Sequence, residues 1–297
     1  MSKEVTWSEL VHDDASFMAL LQIGQTLVIT HEGRPIGRLV PSERDRRPWI
    51  VGVCGASGVG YAAALIRGLV DAGEPVDLIV SRAAKLTIMD ETGVPFREAD
   101  WAAGLQAWTA LCGFEVEADE GDIRCWPPAD FTAGPASGSY LAKGMVVVPA
   151  TTAAVGGIAN GLSKDLVQRA AEVALKERRP LVIVPRETPF TRVTLQHLLA
   201  LDEMGAIVLP ASPGFYAGTA DVSTLYGFIA GKILDLLGIK NSLFRRWRGA
   251  LGAGRESDGS TRASTDVPDI PGHDVPAVPG HSQKSRRQIS RRPRSAP

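Results

Sequence analysis

Residues 55–58, Gly-Ala-Ser-Gly, join an apolar run at 50–54 to a helix-forming run at 61–70. Small residues at such a turn let the backbone approach a ligand closely. The N–H groups that open the following helix then face an anion, favoured by the helix dipole. The turn suits a phosphate or nucleotide, with Ser57 pointing into it; a tight strand-to-helix turn without ligand is the plainer alternative. The dinucleotide pattern Gly-x-Gly-x-x-Gly is absent. Ser81 ends a second apolar run and precedes a helix, so its hydroxyl could hold a phosphate or simply cap that helix. Ser137, Gly138 and Ser139 offer hydroxyls and backbone N–H groups on a loop suited to an oxyanion. Thr151, Thr152, Ala153 and Ala154 are small enough for a flat ring to lie against their backbone.

Cations complete the set. Arg169, Glu172 and Lys176 fall at i, i+3 and i+7, roughly one helix face, for which a salt-bridged surface stripe is the usual explanation. Arg186 and Glu187 end a buried apolar run, where a charge needs a partner. An arginine fork facing a phosphate would supply one. Phe215 and Tyr216 add an aromatic ring and a phenol.

The elements that must position these residues alternate. Strands are predicted at 50–54, 76–80, 145–148, 181–184 and 206–209, and helices at 61–71, 83–92, 162–177, 194–204 and 222–237. Nearly continuous apolar strands alternating with helices indicate an α/β fold, a doubly wound parallel sheet covered on both faces. Ligands of such sheets bind at the carboxyl ends of the strands, where most of the residues above collect on one rim. Before this domain (47–250), residues 1–46 read as a small α+β module. It has a short helix reaching about residue 21 and a hairpin whose turn is Glu32-Gly33. Residues 42–48 read as a linker. Residues 251–297, rich in Gly, Ser, Pro and Arg, read as a disordered tail with a basic end.

Composition narrows the function classes. The chain has 297 residues, 44% hydrophobic and 22% charged, with a net charge of −1, so the whole molecule carries no bias toward nucleic acid or membrane. The odd set Cys54, Cys112 and Cys125 argues against a disulfide framework or a zinc site, and the 5 histidines show no ligand spacing. Charges interrupt the N-terminus and Gly or Pro breaks the apolar runs, so neither a secretory signal nor a membrane span is expected; a reducing cytoplasm is.

Residues 49–247 resemble the UbiX-type flavin prenyltransferases. The words that carry the resemblance are GASG (55–58), VSRAA (80–84), PASGS (135–139), RAAEVALKERRPLVIVPRETP (169–189), EMGAIVLPASPGFY (203–216) and KILDLLGI (232–239), in that order. The resemblance implies a Rossmann-like flavoprotein fold and a metal-independent enzyme that binds reduced FMN and dimethylallyl phosphate. Such an enzyme attaches the five-carbon unit to flavin N5 and C6, and its prenylated product serves UbiD-type decarboxylases. It also implies a homo-oligomeric shell, a dodecamer, with sites at subunit contacts. By the same resemblance Gly55, Ala56, Ser57, Ser81, Thr151, Thr152, Ala153, Ala154 and Arg186 match the FMN positions. Ser137, Gly138, Arg169, Lys176, Glu187, Tyr216 and Lys232 match positions around the prenyl phosphate, and Phe131 matches the lining of the isoprenyl pocket. Charge development then assigns Lys176 to the departing phosphate, with Glu187 and Ser57 handling the proton. The chain departs from the family at Phe131 (often Trp), Lys232 (often Arg), Ala150-Thr151 (often Cys-Ser) and Ala153-Ala154 (usually a polar pair).

Residues 5–43 resemble the N-terminal domain of Phd/YefM-type antitoxins, carried by Val28-Ile29-Thr30, Gly33-Arg34-Pro35 and Arg38-Leu39-Val40-Pro41. That resemblance implies a dimerising module able to contact DNA or a toxin-like partner; an accessory extension without DNA affinity is the plainer reading. Three rival functions remain at this point: a flavin carrier without turnover, a DNA-binding regulator, and a flavoprotein decarboxylase. The last usually relies on a histidine after the first helix, and residues 60–80 contain none.

Overall fold

The computed structural model describes residues 2–12, 17, 26–39, 45–119, 122–215 and 221–247. Residues 251–297, expected to be a disordered tail, and Tyr216 lie outside the described residues.

The N-terminal module is a three-stranded sheet in the order β1 (Ser2–Thr6), β2 (Thr26–His31), β3 (Arg34–Leu39), with helix α1 (Trp7–His12) after β1. Thr6 and Glu9 form a capping box: the Glu9 N–H donates to Thr6 Oγ1 (3.2 Å) and the Thr6 N–H to Glu9 Oε2 (2.8 Å). The predicted hairpin forms, with both turn residues at positive φ (Glu32 50°, Gly33 74°), the geometry that matches the twist of antiparallel strands. Val5, Phe17 and Leu27 make a small core of their own.

The second sheet has six strands: β4 (Trp49–Val53), β5 (Val76–Val80), β6 (Ile123–Trp126), β7 (Gly144–Ala150), β8 (Leu181–Pro185) and β9 (Ile207–Val208). Their spatial order is β6-β5-β4-β7-β8-β9, and every pair is parallel. Val51, Val53, Leu78, Val80, Val146 and Val182 face helices α2 (Gly60–Asp71), α3 (Arg82–Thr92), α4 (Trp101–Leu111) and α8 (Val222–Leu236). Ile50, Ile79, Met145, Val147, Leu181 and Ile183 face α5 (Thr152–Ala159), α6 (Leu166–Lys176) and α7 (Arg192–Glu203). Burial on both faces is why these strands read as unbroken apolar runs. Among the described residues no helix is long and apolar enough to cross a membrane.

Three elements differ from expectation. The helix predicted at 162–177 is shorter, Leu166–Lys176, and a separate helix that was not predicted, α5, precedes it. Gly161, at φ 65°, follows the end of α5, and Asp165 starts α6 by accepting from the Gln168 N–H (2.9 Å). Strand β6 is a half-buried edge strand, Ile-Arg-Cys-Trp, too short and too polar to stand out. Helix α4 was masked by a sequence with little polar contrast, Trp-Ala-Ala-Gly-Leu-Gln-Ala-Trp.

Packing also explains Gly55. A Cβ there would lie 2.5 Å from Ala83 Cβ and 2.8 Å from the Ala83 carbonyl carbon, so the turn after β4 can rest on the first turn of α3 only without a side chain. Gly55→Ala should therefore destabilise the flavin-free chain by about 1–3 kcal/mol, an overpacking cost. Urea denaturation without flavin reads it, and an unchanged midpoint would return the glycine to a purely ligand-facing role.

Candidate functional site

The strand order reverses between β4 and β7, which opens a crevice at their carboxyl ends. Backbone bonds align the rim: the Ser81 N–H donates to Val53 O (3.0 Å), Cys54 N–H to Pro149 O (3.2 Å) and Arg186 N–H to Ala150 O (3.2 Å). Ser81, Gly55, Thr151 and Arg186 thus sit on consecutive strand ends. Ser81 is buried, and its Oγ accepts the Ala84 N–H (3.1 Å) as the cap of α3. Thr151 Oγ1 does the same for α5 through the Ala154 N–H (3.1 Å). Each hydroxyl keeps its own proton to donate. The two N–H groups ahead of each bonded one, at Arg82 and Ala83 and at Thr152 and Ala153, have no intrahelical acceptor. The plain capping role foreseen for Ser81 is present and leaves its phosphate-binding capacity intact.

The 55–58 turn is different from the sequence reading. Its expected free N–H groups are occupied by the protein's own carboxylate: Glu91 Oε1 and Oε2 accept from the Gly58 N–H (2.8 and 3.1 Å), and Oε2 also from the Val59 N–H (3.0 Å). Sequence reasoning missed Glu91. The one local signal was its place in the last turn of α3, where a carboxylate opposes the helix dipole. Ala56 is buried and Ser57 exposed on the rim. The neighbouring Cys54 thiol is buried, which pushes its pKa up to about 12 and keeps it inert.

Arg186 stands at the end of β8 with its Nε buried and without a hydrogen-bond partner. It lies close enough to Tyr61 to favour the phenolate, although burial raises that phenol's pKa overall. Glu187, beside it, is exposed and accepts the Thr188 N–H (3.0 Å).

A second group forms around the loop 134–140. Arg169 Nε donates to Ala136 O (3.0 Å), and its Nη1 pairs with Glu172 (3.0 Å), whose carboxyl is held below its usual pKa by the Ser163 hydroxyl and by Arg169. Arg179 donates to Gly138 O (2.7 Å) and Tyr140 O (2.8 Å). Lys176 pairs with Glu177, not with Glu172 as the stripe implied. A Cβ on Gly138 would come 2.5 Å from Lys176 Nζ and 2.1 Å from Glu177 Oε1, so the loop lies directly against the ends of these two side chains. Ser137 Oγ bonds Ser139 Oγ (2.8 Å) on the exposed side.

The two groups are apart within one chain. Helix α6 runs back from the carboxyl-end rim to the start of β8, and Lys176 is its last residue. Seven residues at about 1.5 Å each place Lys176 about 10 Å further from the rim than Arg169. Ser137, Gly138, Arg169 and Lys176 are brought together; Gly55, Ser57, Ser81, Thr151 and Arg186 are brought together elsewhere. Phe131 is 48% exposed, and Lys232 is exposed on α8 beside Asp235. No described contact ties either to these groups.

Known proteins are similar to this chain in sequence and fold. The Flavoprotein family profile matches residues 38–234. The flavin prenyltransferase UbiX of Streptomyces coelicolor is 55% identical over 213 residues, which are 70% of this chain and 98% of that protein. The UbiX of Pseudomonas aeruginosa is 42% identical over 194 residues, 65% of this chain and 90% of that one. Among solved structures, AnUbiX (PadA1) in complex with FMN and dimethylallyl pyrophosphate is 30% identical with a TM-score of 0.59, over 69% of this chain and 99% of its own. A dodecameric FMN-dependent UbiX-like decarboxylase from Escherichia coli O157:H7 is 34% identical with a TM-score of 0.59, over 68% of this chain and 100% of its own. The chain belongs to the Flavoprotein family, among the UbiX flavin prenyltransferases.

Proposed function

We propose that the chain transfers a dimethylallyl group from dimethylallyl phosphate to reduced FMN. The observation that carries this reading is the buried, unpartnered Arg186 Nε beside two helix N-termini at the strand reversal. A buried guanidinium N–H without an acceptor is costly unless a ligand completes it. FMN fits: its phosphate is an acceptor for the Ser81 hydroxyl and the α3 N-terminus, and its ring can lie along Thr151, Thr152, Ala153 and Ala154. Glu91 already occupies the Gly58 and Val59 N–H groups, so the phosphate goes to Ser81 and the 55–58 turn meets the ring instead.

Reduced FMN, when bound, supplies the nucleophilic ring atoms N5 and C6. The chain's own residues do the rest. Lys176, Arg169, Ser137 and Gly138 hold the donor phosphate and stabilise the negative charge that grows on it as it leaves. Phe131 lines the path of the five-carbon unit, while Tyr216 and Lys232 add a phenol and a cation to the phosphate end. Ser57 and Glu187 take and pass the proton released when the second bond forms. Lys176 lies at the end of α6 remote from the flavin group, so we place the flavin and donor groups in one site across a contact between copies. A dodecameric relative supports this. Leu195 and Leu199, exposed one turn apart on α7, offer apolar surface for such contacts.

Prenylated FMN would pass to a UbiD-type decarboxylase, and three free thiols accord with a reducing cytoplasm. Residues 47–250 carry the catalysis. Residues 1–46, a Phd/YefM-like module absent from relatives that match end to end over about 70% of this chain, are an accessory, with DNA or a toxin-like partner the less favoured use.

Anaerobic incubation with reduced FMN and dimethylallyl phosphate should yield a flavin heavier by one five-carbon unit, with phosphate released, for the full chain and for residues 47–250 alike; recovery of unaltered FMN would overturn the proposal. Arg186→Met should leave the flavin-free chain as stable as wild type or more so, yet weaken FMN binding at least about tenfold. Flavin fluorescence titration with thermal melts decides it, and a lowered apo melting temperature with FMN affinity intact would make Arg186 structural. Glu187→Gln should lower the rate of product formation about 10²-fold or more at unchanged FMN affinity; a wild-type rate would remove the residue from proton transfer.

A further inference from the structure

Asp77 is a carboxylate in the interior of the sheet, 2% exposed, on a strand whose other residues are all apolar. Nothing in the proposed chemistry uses it. Its place on β5 opposite Ile50 and Arg124 puts it on the face covered by α6, below the second group of the site. One partner reaches it with full hydrogen-bond geometry: the Tyr140 hydroxyl donates to Asp77 Oδ2 at 2.8 Å, across 63 residues of sequence. The Trp126 indole N–H and the Arg124 guanidinium face the same carboxylate, and burial raises its pKa against them.

Tyr140 ends the donor loop. Its N–H donates to Ser137 O (3.2 Å), and its carbonyl shares Arg179 with that of Gly138. Its ring fills the space that a Cβ on Gly134 would enter, 2.6 Å from Tyr140 Cδ2. The loop is thus held at three points: Arg169 on Ala136, Arg179 on Gly138 and Tyr140, and Asp77 on the Tyr140 side chain. The first two grip backbone carbonyls from α6 and the turn after it. Among these hydrogen bonds the third ties the loop to the sheet.

We propose that Asp77 and Tyr140 are a pair of positioning residues for the donor phosphate, with the buried carboxylate fixing the tyrosine and through it the Ser137 hydroxyl and Gly138 backbone against Lys176. The assignment rests on the prenyl-transfer reading, and it gives the buried charge a use that fold stability does not. An apolar pair would pack the same volume without an interior carboxylate to satisfy.

Four full-length variants test it. Tyr140→Phe and Asp77→Leu should raise the KM for dimethylallyl phosphate about tenfold, the scale of one hydrogen bond to a charged group. Their kcat should stay within about twofold and their FMN affinity unchanged, because the loss falls on donor binding alone. Asp77→Asn keeps an acceptor for the hydroxyl and should restore most of the donor KM. The double variant Asp77→Leu with Tyr140→Phe leaves neither member of the pair facing an unpaired partner, so its melting temperature should recover relative to Asp77→Leu; its donor KM should stay raised. Recovery of both together, or a donor KM that none of the folded variants changes, would make the pair structural only. Hydrogen exchange at residues 137–140 reads the same loop without turnover. Faster exchange in Tyr140→Phe shows that the pair holds the loop, which separates a failure of this assignment from a failure of the prenyl-transfer reading, and unaltered exchange overturns it.

Discussion

A parallel sheet delivers every carboxyl end to one edge, and the reversal of strand order at β4 and β7 leaves that edge open at a single place. The connection after β4 leaves toward the face of α2, and the connection after β7 toward the face of α5 and α6, so neither covers the gap between them. All that follows is placed by this divergence. The helices that start beside it, α3 and α5, begin with a serine and a threonine whose hydroxyls close one N–H group each. The remaining N–H groups and the helix dipoles favour negative charge at the crevice.

Charge then sorts the crevice. Two anion-seeking features lie on the rim, the 55–58 turn and the α3 N-terminus, and the fold closes one of them with Glu91. A carboxylate bonded to Gly58 and Val59 repels a second anion from the turn, and on the proposed reading the phosphate goes to Ser81 instead. Across the crevice Arg186 keeps an unsatisfied interior N–H. An unpaired interior N–H costs the free chain stability, and a ligand acceptor at that place would recover it.

Much of this was legible in the sequence where local pattern decides structure. Buried parallel strands read as apolar runs, Glu32-Gly33 read as a hairpin, and Ser81 stood where a helix had to begin; all three are present. What escaped were features set by distant partners. Strand β6 is an edge strand held by pairing to β5, and nothing in Ile-Arg-Cys-Trp announces it. Glu91 becomes a cap only because α3 folds its last turn back against the start of α2, 32 residues away in sequence. The separation of the site into two groups was hidden because helix spacing shows which residues share a face and not which end of the sheet that face reaches.

That separation has a consequence for how the two ligands are recognised. The rim group is completed by bonds among β4, β5, β7 and β8 of one chain, so its geometry exists in a single copy. The donor group hangs on α6 and the loop it grips, with Ser137 and Ser139 exposed. A helix of 11 residues spans about 16 Å, so Lys176 stands well below the rim that carries Ser81. On the proposed reading, flavin binding is a property of the fold and donor binding at the flavin is a property of the assembly. Two anionic phosphates that would repel one another within one crevice are thereby held on separate rigid frames, and the contact between copies fixes the distance between them.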